Sequence, residues 1–198
     1  MDQFSLYFSI GKDHILDLSQ GLDHILYVVA LTASARPTDW KKILVLITGF
    51  TVGHSVTLAL STLNIISVPS GPVEFLITVT ICVTAFLNIF SSEKTADTKR
   101  PVLIYGITIF FGLIHGLGFS NMLRALVTGS GSIPLPLFAF NVGLEFGQII
   151  VVAIFTTLAF FSTEKAGINR RDWKMVLSSM IAGMALLLLQ DRIDLLFE

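Results

Sequence analysis

The sequence predicts an all-α, polytopic membrane protein with six transmembrane helices and with both termini outside the cytoplasm. Three observations predict this class: the composition, the number of long apolar segments and the alternation of basic residues between them. Hydrophobic residues make up 53% of the 198 residues, charged residues make up 14%, and the mean hydropathy is +0.78. A soluble domain carries about 25% charged residues. Because no composition shift divides the chain, we expect residues 1–198 to form a single transmembrane domain.

Six apolar segments approach the length of about 20 residues that a helix needs to cross a bilayer. They cover residues 14–35, 42–63, 72–91, 102–126, 134–162 and 173–190. Pro72 and Pro134 stand at predicted first turns, where the missing amide donor costs little. The apolar part of the first segment, residues 21–35, is too short by itself, so that helix has to include the polar turn with Asp17 and Gln20.

Basic residues alternate between the predicted connections. The five connections carry three, none, three, one and four Lys or Arg residues in turn. By the positive-inside rule, the first, third and fifth connections face the cytoplasm. The expected location is a bacterial inner (cytoplasmic) membrane, and the lipid bilayer is an expected partner.

All four histidines of the chain lie in or at the edge of these segments: His14, His24, His54 and His115. An ionisable group at bilayer depth costs at least a few kcal/mol, so a cluster of them indicates a function. Counted from the cytoplasmic ends of their helices, His54 is about 18 Å deep and His115 about 20 Å deep. His24 is expected midway along the first helix. The histidines are therefore predicted to converge in the outer half and middle of the membrane.

Carboxylates and amides follow the same faces. His14, Asp17, Gly21 and His24 have helical spacings of three, four and three, which predicts one stripe on a continuous first helix. Imidazoles and carboxylates gathered in this way are typical ligands of a divalent transition metal such as nickel, zinc or cobalt. The predicted metal ligands are His14, His24, His54, His115, Asp17 and Glu145. The predicted supporting residues are Asp23, Ser55, Glu74, Asn141 and Gln148.

Five ordered motifs resemble the HupE/UreJ membrane proteins. They are Gly-Leu-Asp-His at 21–24, Phe-Thr-Val-Gly-His-Ser-Val-Thr-Leu at 50–58, Val-Glu at 73–74, Gly-Leu-Ile-His-Gly-Leu-Gly-Phe at 112–119 and Phe-Asn-Val-Gly-Leu-Glu-Phe-Gly-Gln at 140–148. The resemblance implies uptake of nickel or a related metal ion. The family pattern usually has a histidine seven residues before the histidine of the first motif, where this chain has Asp17 and carries His14 instead.

Three function classes follow from these residues. The first is a metal-ion permease of the nickel or cobalt type, and the second is an intramembrane metal-dependent hydrolase in which a carboxylate serves as general base. The third is an accessory membrane protein whose polar cluster holds helices together. No catalytic signature such as His-Glu-x-x-His appears, which weighs against the hydrolase. The predicted cytoplasmic half offers few polar residues for an ion pathway, which weighs against the permease. The net charge of −1 gives no surface for nucleic acid, and a homo-oligomer is compatible with the sequence.

Overall fold

The computed structural model describes residues 2–91, 101–127 and 133–194, and the regular structure in these residues is helical. The helices are α1 (Gln3–Leu16), α2 (Leu22–Thr32), α3 (Trp40–Thr62), α4 (Ser70–Phe90), α5 (Pro101–Gly118), α6 (Ser120–Val127), α7 (Pro134–Phe160) and α8 (Arg170–Ile193). A 3₁₀ turn, Pro37–Asp39, precedes α3, and a π-helical turn, Phe161–Lys165, extends α7.

Within the described ranges, four helices are long and apolar enough to cross a membrane: α3, α4, α7 with its π turn, and α8. Helices α5 and α6 form a fifth candidate span with a bend of 51°. These elements correspond to the predicted segments 42–63, 72–91, 102–126, 134–162 and 173–190. The structure thus supports four or five candidate spans, while the count of six and the location of the termini remain expectations.

The prediction of one continuous helix over residues 14–35 is wrong. Helix α1 ends at Leu16, and Asp17 has an extended backbone with φ −78° and ψ 110°. The Asp17 carboxylate accepts hydrogen bonds from the Ser19 amide at 2.8 Å and hydroxyl at 2.7 Å, a local turn that competes with the helix. Helix α2 has 11 residues, or about 16 Å, so it is too short to cross a bilayer alone. His24 therefore lies in the first turn of α2 and not midway along a span.

Glycines bring two pairs of helices into backbone contact. A Cβ atom on Gly11 of α1 would lie 2.0 Å from the Phe140 carbonyl oxygen of α7, and one on Gly143 would lie 2.0 Å from the Phe8 carbonyl oxygen. Helices α3 and α5 approach as closely through Gly53, Gly112 and Gly116, each of which would place a Cβ atom 2.2 Å from a facing carbonyl oxygen. These contacts join α1 to α7 and α3 to α5, and three of these four helices carry a histidine.

The bundle has two chemically different ends. One end, called here the basic end, carries Arg36, Lys42 and Lys174, and the Lys174 ammonium donates to the Ser91 carbonyl at 2.7 Å. The other end, called the Glu74 end, carries Glu74, one turn into α4, and Arg192, in the last turn of α8. The basic residues of the third predicted connection, Lys94, Lys99 and Arg100, lie outside the described residues.

Candidate metal site

Four helices bring the four histidines into one buried cluster. The His24 ring on α2 lies 4.7 Å from the His14 ring of α1, 5.6 Å from the His54 ring of α3 and 5.1 Å from the His115 ring of α5, measured between ring centroids. None of the four is more than 8% exposed. The break after α1 does not prevent this arrangement, because it folds the chain so that His14 and His24 meet from two separate helices.

Three of these histidines form a compact group of possible ligand atoms. One ring nitrogen from each of His14, His24 and His54 lies within 4.8 Å of the other two. Zinc-type ions bind imidazole nitrogens at about 2.0–2.1 Å, so modest side-chain rotations would bring all three onto one ion. Neutral imidazole also suits nickel and cobalt.

The ring nitrogens lack hydrogen-bond partners. Both nitrogens of His14, His24 and His54, together with Nδ1 of His115, are buried without a hydrogen bond to any part of the chain that the structure describes. Each buried polar group left unsatisfied costs about 1–3 kcal/mol. A cation bound to the nitrogen lone pairs would relieve this cost at one nitrogen of each ring, so the donor set fits a divalent transition metal.

The fourth histidine is oriented by a threonine that the sequence analysis did not select. The Thr80 hydroxyl donates to the Ile77 carbonyl at 2.6 Å and lies 2.9 Å from His115 Nε2. Since the hydroxyl has only one hydrogen, its oxygen must accept from Nε2–H. The lone pair of neutral His115 is therefore on Nδ1, which is buried and unpaired. Metal-binding histidines commonly have their second nitrogen held in this way.

Aromatic side chains enclose the cluster. The Phe119 ring lies 4.1 Å from the His14 ring, and the Phe50 ring lies 5.0 Å from the His115 ring. The Phe140 ring stacks on Phe119 at 4.8 Å and lies within 6.5 Å of His54. This apolar wall limits access of water, so the electrostatic attraction between the imidazoles and a cation is stronger here than in water.

The structure does not place the predicted carboxylate ligands in the compact group. Asp17 is exposed between α1 and α2, where its hydrogen bonds from Ser19 lower the pKa of the carboxyl. The Glu145 carboxylate on α7 accepts from the Thr48 hydroxyl of α3 at 2.6 Å. Within the described ranges, the ligand atoms that gather closely are those of the three histidines.

The predicted supporting residues divide into two sets. Asn141 is a polar neighbour of His54, and its Oδ1 is buried without a partner in the described part of the chain. Gln148 is fully buried and accepts from the Thr51 hydroxyl at 2.9 Å. The Ser55 hydroxyl, by contrast, donates to the Thr51 carbonyl of its own helix at 2.6 Å and does not contact His54 through that bond.

Asp23 and Glu74 meet at an arginine that the sequence analysis also did not select. Arg192 of α8 donates to Asp23 Oδ2 at 2.9 Å, and its Nε lies 3.8 Å from Glu74 Oε2. The same guanidinium donates to the Glu74 carbonyl and to the Thr78 hydroxyl. An arginine near the end of a long apolar helix gives no pattern that identifies these partners, which belong to α2 and α4.

Apolar helices of spanning length around a buried group of histidines indicate an integral membrane protein with a candidate metal site. The chain belongs to the HupE/UreJ family: the model described as "HupE / UreJ protein" matches residues 1–191. This match confirms the resemblance that the motifs indicated. No curated protein and no solved structure matches the chain.

Proposed function

We propose that this protein is a permease for a divalent transition metal of the nickel or cobalt type in a bacterial inner membrane. The observation that carries the proposal is the cluster of buried ring nitrogens on His14, His24, His54 and His115 that have no partner in the described residues. The family, which is generally linked to nickel and cobalt transport, supports the same class of substrate. The basic end would face the cytoplasm under the positive-inside rule.

In this proposal the histidine cluster is the binding site for the transported ion. His14, His24 and His54 would hold the ion, with Nδ1 of His115 as a fourth nitrogen. Asp23, Glu74 and Arg192 meet at the Glu74 end, where their formal charges sum to −1 and leave a weak attraction for cations. The site would thus lie in the half of the membrane that faces outward.

A cavity in the other half of the bundle favours a transport function, because a closed enzyme site would not need it. A cavity of about 390 Å³ lies between α2, α3, α4 and α5 at the basic end, with Arg36 and Lys42 at its rim. Its walls include Asn88 and hydroxyl groups such as those of Thr84 and Thr108. This cavity supplies space and polar atoms at the basic end, where the sequence pattern indicated few polar residues. The hydrolase alternative is less supported, because Glu145 and Glu74 have other partners.

Purified protein in proteoliposomes tests the proposal directly. We expect inward flux of nickel, cobalt or zinc down a gradient, and a bound metal that is present in the wild type and lost in His54→Ala. The control variant is Thr163→Ala, which changes a hydroxyl bonded within its own helix near the basic end. Binding without flux for all three ions would favour the hydrolase, whereas no bound metal in the wild type would favour a structural role for the cluster.

A further inference from the structure

We propose that Tyr27 is the inner gate of the histidine site and separates it from the cavity at the basic end. The inference rests on the proposed function, because a gate matters only if an ion passes. Tyr27 belongs to neither the predicted ligands nor the family motifs. It is 1% exposed, and it lines the cavity while its ring lies 5.1 Å from the His115 ring.

The cavity ends one to two helical turns before the histidine cluster on each helix that lines it. On α2 its deepest lining residue is Tyr27, one turn from His24, and on α4 it is Thr84, one turn from Thr80. On α3 and α5 the deepest lining residues are Leu46 and Thr108, about 12 Å and about 10 Å along the helix from the histidines. The cavity and the histidine site are therefore separated by one to two helical turns, and Tyr27 lies between them.

The layer between the cavity and the histidine site is aromatic. The Tyr27 ring stacks on Phe50 at 4.8 Å and lies 6.0 Å from the Phe111 ring. A dehydrated or hydrated cation cannot pass an apolar layer of this kind without a side-chain movement. We call these three residues, Tyr27, Phe50 and Phe111, the aromatic barrier.

Tyr27 is the member of the aromatic barrier that is suited to move. The α3 backbone at Phe50 is held, because its carbonyl oxygen packs against Gly112 at the tight contact between α3 and α5. Tyr27 stands on α2, an 11-residue helix that follows the break after Leu16 and has no side-chain cap at its start. The Thr108 side chain is the polar neighbour of its hydroxyl, and the Thr108 hydroxyl donates to the Ile104 carbonyl. A rotation of the Tyr27 ring away from Phe50 would open the layer.

The cavity side of the gate is suited to a hydrated cation. The Thr84 and Thr108 hydroxyls donate to the carbonyls of Thr80 and Ile104, so their oxygen lone pairs remain available toward the cavity. Oxygen acceptors of this kind can orient the water molecules of a partly hydrated ion. An ion that left the imidazoles would regain water on the far side of Tyr27.

Thiol accessibility tests the gate without any metal, so its outcome does not depend on flux. In a Cys82→Ser background, Thr84→Cys reports on the cavity and Thr80→Cys reports on the histidine site one turn away on the same helix. A small membrane-impermeant thiol reagent is applied to vesicles of both orientations. With Tyr27 present, we expect Thr84→Cys to react from one side and Thr80→Cys to react at least about 10-fold more slowly from that side.

Removal of the ring should open the path. In Tyr27→Ala, and in Tyr27→Leu should the alanine variant fail to fold, Thr80→Cys should react about as fast as Thr84→Cys. Tyr27→Phe should keep the slow rate, because the ring remains. Tyr7→Ala is the matched control, since Tyr7 is a buried tyrosine on α1, away from the cavity lining.

Three results would overturn the gate. Thr80→Cys could react as fast as Thr84→Cys with Tyr27 intact, or it could stay unreactive in both Tyr27→Ala and Tyr27→Leu. Thr84→Cys could also be unreactive from both sides, which would show that no open cavity exists. The protein could instead show the expected thiol pattern while its proteoliposomes transport no metal. That result would reject the proposed transport function and leave the aromatic barrier established.

Discussion

The Thr80 hydroxyl lies 2.9 Å from Nε2 of His115 and donates its only hydrogen to the Ile77 carbonyl. His115 is thereby held with its hydrogen on Nε2 and its lone pair on Nδ1. Thr80 is thus a positioning residue for the candidate metal site, and it acts through the orientation and tautomer of one imidazole.

Replacement of this threonine should weaken metal binding without removing a ligand atom. We expect Thr80→Val to lower the affinity for nickel or cobalt about 10-fold or more, because the imidazole loses its hydrogen-bond acceptor. Thr80→Ser keeps the hydroxyl and should retain near wild-type affinity. Isothermal titration of detergent-purified protein measures both constants, and equal losses in the two variants would show that only packing changed.

Substitutions of the histidines and of the carboxylates should have different effects on the metal content of the protein. His14→Ala, His24→Ala and His54→Ala should each reduce the metal content per protein, because each removes a nitrogen from the compact group. Asp17→Asn and Glu145→Gln should retain it, because those carboxylates are bound by Ser19 and Thr48. Elemental analysis checks this, and a loss confined to the carboxylate variants would contradict the geometry.

Metal binding should also depend on pH. Imidazole binds a metal only in its neutral form, so affinity should fall in acid as protons compete for the ring nitrogens. This fall is measured by titrating the wild type with metal over a range of pH. A carboxylate chelator of known affinity serves as the reference. An affinity that does not change through this range would argue against histidine ligands.

The contact between α3 and α5 should tolerate no side chain at Gly116. A Cβ atom there would lie 2.2 Å from the His54 carbonyl oxygen and 2.4 Å from the Thr57 hydroxyl. Gly116→Ala should therefore destabilise the protein by about 1–3 kcal/mol and displace His54 from its neighbours. Gly106→Ala on the same helix meets nothing within 4 Å and should be neutral or stabilising. Thermal unfolding in detergent compares the two variants, and similar midpoints would contradict the close contact.

Arg192 should stabilise the Glu74 end of the bundle. Its side chain is 18% exposed and that of Asp23 is 16% exposed, so the pair is partly shielded from water. Arg192→Gln should lower Tm, because it breaks a charge-assisted hydrogen bond of about 1.5–3 kcal/mol. Arg192→Lys should lower Tm less, since a single ammonium keeps the charge but cannot reach all four partners. The exposed Arg171 at the other end of α8 provides the control variant, Arg171→Gln, and an equal loss there would assign the effect to net charge.

The features of this protein that could be predicted from the sequence are those that depend on residues close together in the chain. The spans from residue 42 onward follow from apolar runs and from prolines at helix starts, both of which are properties of neighbouring residues. The choice of all four histidines follows from their high cost in an apolar environment. These features need no knowledge of which helices meet, so the sequence by itself determined the class of protein, the family and the imidazole residues of the site.

Tertiary structure decided the features that depend on distant residues. The sequence spacing suggested one helix through His14, Asp17 and His24, but the turn at Asp17 divided it, and the two histidines met by folding and not by helical periodicity. The partners of Glu145 and His115 lie on α3 and α4, and Tyr27 lies between the cavity and the histidines because separate helices meet there. A hydrogen-bond partner or a barrier residue is selected by three-dimensional proximity, and helical periodicity in one segment carries no information about what another segment presents to it.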